Sequence, residues 1–438
     1  MRDIILIGIV IVTALVAIKR PVFGILAFLC FGIISPQSMV WEYGRGFPLA
    51  MLTAIGTILG LLFWREPKSL PKHREVFLLM ALWLSFAIST PLAIYPEEAF
   101  DRLVHVSKIL LMVFITMMII NNETRLQLMI KTIGLSLGAL GFKGGIFALV
   151  TAGSLMVFGP DLGFLSSNNM IGLALAMNVP LLVYLLRRES HPYLRWLIRG
   201  MIVLSYPAVV CTFSRGAWIG LGAATALLVL KGKRKFLMVT VLALATVLAI
   251  PYLPDRVSNR YDDLKNYQEE SSAVSRLWNW EFCKRVGLAH PLHGGGFNFY
   301  SLESYARYYP EFLERWPGKV WTCHSTWMTI LGEHGILAFL LWISLLLSAL
   351  FSLRRLVTLA RDRPDREWAV AFAKCLQIAI VTYLIVATFV DAGYFDMFYE
   401  LLASIVIAKE ILRREITQEA AKARAAKLQE TMPYLHAV

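Results

Sequence analysis

Cysteine is scarce in this chain and acidic residues are outnumbered, and each shortage excludes something. The five cysteines among 438 residues, at 30, 211, 283, 323 and 375, form no CxxC pair and no zinc-ligand spacing. A zinc ribbon or a thioredoxin-like redox motif is thereby excluded. Charged residues make up only 17% of the chain, against about 25% in ordinary soluble domains. No nucleophile elbow supports a Ser-His-Asp triad, and no inverted repeat of the transporter kind is detectable. What is abundant is apolar: 57% hydrophobic residues and a mean hydropathy of +0.61, the composition of a chain dissolved mostly in lipid.

A helix crossing a hydrocarbon layer roughly 30 Å thick needs about 20 apolar residues, because nothing in the bilayer but the helix itself satisfies its backbone. Apolar runs lie near 4–18, 22–40, 47–64, 76–94, 103–120, 127–150, 168–186, 197–214, 216–230, 235–251, 325–353, 368–392 and 395–412. The first two are joined only by Lys19-Arg20-Pro21 and the last two only by Gly393-Tyr394. The expectation is an all-α, polytopic integral membrane protein with about 12 transmembrane helices (12–13). The first run reads as a span, since no small-residue cleavage site follows it.

The net charge of +13 comes from 43 Lys and Arg against 30 Asp and Glu, and its placement decides its meaning. The basic residues sit at Lys19-Arg20, Arg65 to Arg74, Arg125 to Lys131, Arg187 to Arg199, Lys231 to Lys235, Arg354 to Arg366 and Lys409 to Lys427. All of these fall on one side of the alternating spans, which the positive-inside rule makes cytoplasmic. The charge is topological, and no nucleic-acid partner is expected. Loops 35–46, 91–102, 152–167 and 252–325 then face outward, and the last is neutral, with nine basic and nine acidic residues. The chain divides into an N-terminal transmembrane bundle (1–251), a large outward loop expected to be catalytic (252–325), C-terminal transmembrane helices (326–412) and a cytoplasmic tail (413–438). Cys283 and Cys323 share the outward loop, where an oxidising compartment permits a disulfide.

Three constellations stand out. Arg215, in Thr212-Phe-Ser-Arg-Gly-Ala-Trp218, lies between two spans at the outward end, as a snorkelling or an anion-binding cation; Gly216 beside it allows close backbone approach. Residues 275–297 carry Arg276 and Trp280 one helical turn apart, with Leu277, Trp280, Phe282 and Leu288 as an apolar face. This reads as an amphipathic helix ending near Gly287. The turn after it holds Gly294, Gly295 and Gly296, whose N–H groups can converge on one anion. Thr322 to Gly335 re-enters the membrane, with His324 at a helix start, Ser325 and Thr326 as caps and a neutral imidazole able to accept a proton. His334 reads as structural. His290 and His293 have a ligand-like spacing, but Pro291 breaks any helix that would align them and no carboxylate completes the set, so no metal and no cofactor is expected. Asn169 in Ser166-Ser-Asn-Asn-Met170, and Arg102, are weaker binding candidates. Lys143, mid-span, needs a cavity or a partner, for which Asp391 and Asp396 are candidates.

The order of these motifs resembles the O-antigen ligase and polymerase superfamily of bacterial envelope enzymes. The matching residues are Ser214-Arg215-Gly216, Arg276 followed by Trp280, Pro291-Leu-His-Gly-Gly-Gly296, and His324 to Gly335 with its Gly-Glu-His-Gly; Ser325 stands where Asn is usual. The likeness covers about residues 165–410. Arg20-Pro-Val-Phe-Gly24, Ser35-Pro36 and Phe47-Pro48 are further similar to O-glycosylation ligases associated with exosortase systems. The resemblance implies a GT-C-like, inverting, metal-independent glycosyltransferase of the bacterial inner membrane, acting on the periplasmic face. It would move a glycan from undecaprenyl pyrophosphate to lipid A-core, with Arg215 and Arg276 clamping the diphosphate and His324 as general base. The same donor with a protein or a growing glycan as acceptor is the nearest alternative. A flippase or transporter using Lys143 and Asp391 is the more distant one.

Overall fold

The computed structural model describes residues 2–40, 44–231 and 271–431. Among them every regular element is helical. The elements are α1 (Arg2–Lys19), α2 (Pro21–Ile34), α3 (Leu49–Phe63), α4 (Arg74–Ser89), α5 (Pro96–Ile119), α6 (Glu123–Val150), α7 (Asn168–Arg188), α8 (Pro192–Val210) and α9 (Arg215–Leu230). After the undescribed stretch come α10 (Ser271–Ala289), α11 (Leu302–Tyr308), α12 (Pro310–Arg315), α13 (Thr326–Ala360), α14 (Glu367–Ala387) and α15 (Asp396–Thr431). Among the described residues six helices are long and apolar enough to cross a membrane: Arg74–Leu92, Pro96–Ile119, Glu123–Val150, Asn168–Arg188, Thr326–Ala360 and Pro364–Ala387. Pro21–Ile34, Leu49–Phe63 and Arg215–Leu230 are shorter apolar helices. The span expected at 235–251 and the first part of the outward loop lie outside the described residues.

Two helices form the centre. α7 is buried on nearly every face, and so is α15 from Met397 to Leu412, the signature of a helix enclosed by other helices. α14 lies against α7 and α9, α13 against α4 and α14, and α6 against α8. Small residues set these close approaches: a Cβ on Gly145 would stand 2.2 Å from the Leu204 carbonyl oxygen, and one on Gly220 2.2 Å from Val386. The string Gly134-Leu-Ser-Leu-Gly138 has the spacing of a nucleophile elbow, but it lies inside α6, with Gly134 against Leu185 and Gly138 against Met201. It is a packing stripe, because an elbow needs a strand-to-helix turn.

The loop contacts sort onto two ends of the bundle. At one end Glu66 pairs with Arg125, Lys131 with Glu189, Arg188 with Glu123, and Arg363 with Glu419. The Arg125 hydrogen bond holds the Glu66 carboxyl down to about 2. At the other end Ile94 N–H donates to Gly295, Leu162 N–H to Ser38, and Val157 N–H to Cys211. Each set joins only loops that the charge distribution had assigned to the same side. α15 runs unbroken through position 412 to Thr431.

Candidate functional site

His324 ends the segment that leads from α12 into α13. Its backbone is left-handed, with φ 50°, a region that non-glycine residues occupy at a cost and often at functional sites. It therefore precedes α13 and does not sit in its first turn. The expected caps are also different. Ser325 makes no side-chain cap; Asp391, from the connection between α14 and α15, accepts from Ser325 N–H (3.2 Å) and Thr329 Oγ1 (2.6 Å), and also from Thr322. Thr326 Oγ1 donates to Val390 O (2.8 Å) and accepts from Ala392 N–H (2.9 Å). The start of α13 is thus stitched to residues 390–392.

That stitching puts Asp391 Oδ2 3.6 Å from His324 Nδ1, with the Thr322 hydroxyl 3.5 Å from the same nitrogen and donating to Asp391. Burial lowers the His324 pKa below 6.5; the Asp391 carboxylate opposes the shift and the Arg276 guanidinium adds to it. The imidazole is therefore neutral at neutral pH, with a carboxylate behind it to take up charge. Asp391 is the residue that sequence reasoning missed as a member of this site and assigned to Lys143 instead.

α10 carries Arg276, half-buried, and packs on α13. Its buried face is Asn279, Phe282, Cys283 and Val286, a spacing of three to four residues that suits one side of a helix. Leu277 and Leu288, expected on that face, are 53% and 54% exposed. Trp280 is half-buried, and its indole N–H has no hydrogen-bond partner among the described residues. Cys283 is disulfide-bonded to Cys323, with Cα atoms 6.1 Å apart, so the helix bearing Arg276 is cross-linked to the residue beside His324. An aromatic cluster completes the small core: Phe282 stacks on Tyr305 at 3.7 Å and Tyr305 on Phe312 at 4.3 Å. His290 is taken up by Tyr308, its Nε2 lying 2.7 Å from the hydroxyl.

The glycine turn does not present its N–H groups to an anion. Gly294 N–H donates to His290 O, Gly295 N–H to Gly332 O and Gly296 N–H to Glu333 O, at 2.7, 2.8 and 2.8 Å. The acceptors are free because α13 is broken at Gly335, φ 76° and ψ −172°, and Ile336 N–H goes to Pro291 O at 2.7 Å. Loop and kink therefore exchange the hydrogen bonds that a continuous helix would have made within itself. A Cβ on Gly294 would stand 2.4 Å from the Glu333 carbonyl carbon. The turn is a docking device for α13. The Glu333 side chain then accepts from Asn298 N–H, Tyr300 and Tyr394, and His334 has its two nitrogens at 2.6 Å from Ser89 and Tyr394. His334 is structural, as expected.

Arg215 is half-buried at the first position of α9, after Phe213 at φ 53°. The space over Gly216 is filled by Phe389, 3.1 Å from where a Cβ would stand, and this links the Arg215 turn to the connection that carries Asp391. Ser167, and neither asparagine, caps α7; Asn168 donates to Thr212 O, while Asn169 is half-exposed. Arg102 lies over the Tyr394 ring at 5.6 Å. Arg215, Arg276, His324 and Asp391 thus belong to one end of the bundle, assembled from four separate chain segments.

The fold is that of a multi-pass helical membrane protein, with a histidine–carboxylate pair at one end of the bundle and Arg215 and Arg276 on the helices α9 and α10. Residues 200–343, which include Arg215, Arg276, the glycine turn and His324, match the family model described as O-antigen ligase, and the match supports membership of the O-antigen ligase superfamily. The match points to a glycan-transfer ligase or polymerase and names neither donor nor acceptor. Residues 1–190 match a family of unknown function, DUF5935. No curated protein matches the chain.

Proposed function

We propose that the protein is an inverting glycosyltransferase of the bacterial inner membrane that carries a glycan from undecaprenyl pyrophosphate to a hydroxyl of lipid A-core at the periplasmic face. The observation that carries the reading is His324, held in a left-handed conformation before α13, 3.6 Å from Asp391 and under the field of Arg276. In the reaction the acceptor oxygen attacks the anomeric carbon as the bond from that carbon to the diphosphate oxygen breaks. The acceptor proton passes to His324, whose Nε2 is the ring nitrogen turned away from Asp391. Such general-base assistance is worth about 10²–10⁴-fold. Negative charge collects on the departing diphosphate, where Arg215 and Arg276 provide bidentate donors. Single displacement inverts the anomeric centre. The Cys283–Cys323 bridge supports an outward, oxidising location for this end of the bundle.

The test is glycan transfer by the purified protein from lipid-linked donor to lipid A-core, with and without chelator, for wild type, Arg215→Ala, Arg276→Ala and His324→Ala. Loss in all three is expected, with activity retained in chelator. Full activity in the three variants overturns the mechanism. Transfer only to a protein or to a growing glycan replaces the acceptor and leaves the donor chemistry standing.

A further inference from the structure

Lys143 lies in α6, seven residues before its outward end at Val150, or about 10 Å along the helix axis. An ammonium at such depth costs roughly 2.5–3.5 kcal/mol on insertion scales unless something compensates it. Neither expected partner does so. Asp391 is engaged with Thr322, Ser325 and Thr329, and Asp396 lines a different, narrow pocket with Glu400. Among the described residues Lys143 makes no hydrogen bond or ion pair.

What Lys143 faces is a cleft of about 400 Å³ between α6, the connection after it and the turn Pro36–Met39. That volume is in the range of small-ligand sites. Leu140 and Phe147 line it one turn to either side of Lys143. Met39, Phe147 and Phe158 are exposed by 48%, 40% and 60%, and Lys143 is exposed as well, so both the cation and the apolar walls can be reached from outside the bundle. Among the described residues that line it the one acid, Asp161, is paired with Arg45, which leaves Lys143 as the uncompensated charge of that described lining. The back of the cleft is tied to the Arg215 turn, since Val157 N–H donates to Cys211 O at 2.8 Å. A lone cation beneath apolar walls matches a ligand with an anionic head and a hydrocarbon tail. A soluble anion would gain nothing from the walls, and a neutral lipid nothing from the lysine.

We propose that this cleft holds the phosphate head of a membrane amphiphile, with the phosphate on Lys143 and the hydrocarbon along Phe147 and Phe158, as an anion subsite separate from Arg215 and Arg276. The proposal is independent of the glycan-transfer reading, because binding is measured without turnover. Purified full-length protein is titrated by native mass spectrometry with dioleoyl phosphatidic acid, undecaprenyl phosphate, dioleoylglycerol and inorganic phosphate. Wild type is compared with Lys143→Met, Lys143→Arg and Leu140→Trp, the last of which fills the cleft and keeps the charge. Lys143→Met and Leu140→Trp are expected to weaken lipid phosphate binding by at least about fivefold, and Lys143→Arg to retain it. Tighter binding of the prenyl phosphate identifies the donor lipid as the source, and equal binding identifies lipid phosphates in general. Unchanged binding in Lys143→Met, equal binding of dioleoylglycerol, or inorganic phosphate displacing the lipid at matched concentration each overturns the proposal.

Discussion

Asp391→Asn isolates the electrostatic part of the His324 pair. The substitution keeps the shape and an oxygen acceptor for Ser325 N–H and Thr329, so the start of α13 stays capped; the charge is lost, and the Thr322 hydroxyl, which donates to Oδ2, has to turn to accept from the amide that replaces it. Coulomb attraction across the 3.6 Å separation is about 1 kcal/mol at the dielectric constant of water and about 4.6 kcal/mol at an effective constant of 20. His324 and Asp391 side chains are 41% and 27% exposed, which favours the screened end, about 1–2 kcal/mol of imidazolium stabilisation. The turnover rate should fall by about 5–30-fold on that basis. The pH profile supplies a second, signed readout. Asp391 raises the His324 pKa and Arg276 lowers it; the acid limb of activity should therefore move to lower pH in Asp391→Asn and to higher pH in the residual activity of Arg276→Gln. Unchanged rate and unchanged limb in Asp391→Asn, with His324→Ala inactive, would refute the pair as described.

Other outcomes follow from the same geometry. Cys283→Ser or a reductant removes a cross-link spanning 40 residues, worth about 4 kcal/mol by the chain-entropy model; a lower thermal midpoint accompanied by lost transfer is expected, and an unaltered midpoint would contradict it. Gly294→Ala pushes a Cβ into the α13 backbone at a left-handed position, φ 65°. It should cost more than about 2 kcal/mol, read as loss of monodisperse protein in detergent. Gly222→Ala, with open space around its Cβ, should be neutral or stabilising by roughly 0.5–1 kcal/mol.

The sorting of loops between the two ends of the bundle was legible in the placement of lysine and arginine, and the contacts at each end respect that sorting. Arg276 and His324 were legible as chemistry-bearing residues in an otherwise apolar chain. Asp391 was not, because its partners Thr322, Ser325 and Thr329 lie 62 to 69 residues earlier in the chain, a distance that no local pattern spans. The glycine turn misled for a different reason. Glycines serve an anion and a neighbouring backbone equally well, and only the three-dimensional pairing with Gly332 to Gly335 separates the two uses. The signal that was present is the recurrence of glycines at 294–296 and again at 332 and 335, since two glycine clusters suggest that they approach each other. On α10 the choice between Leu277 and Cys283 as the inner face rests on the disulfide and the aromatic cluster, which helical periodicity does not encode.

The arrangement also bears on how the site can vary without losing its centre. α13 receives three attachments near its outward end: the disulfide beside His324, the Asp391 connection at its first turn, and the glycine turn at its kink. Two of them fix the position of His324 relative to Arg276 and Asp391, and the third fixes α10 to the membrane helices. None of the three uses the surfaces of α11 and α12, where Tyr305 and Phe312 face inward and Glu303, Arg307, Glu311 and Arg315 carry the charge. Glu311 is paired with Arg285 of α10 and Arg315 lies over Trp278, so it is changes at Glu303 and Arg307 that should leave the histidine–carboxylate pair undisturbed. Acceptor choice is therefore best sought on α11, and exchanging these two charges should alter which acceptor is used while the pH dependence set by His324 stays where it is.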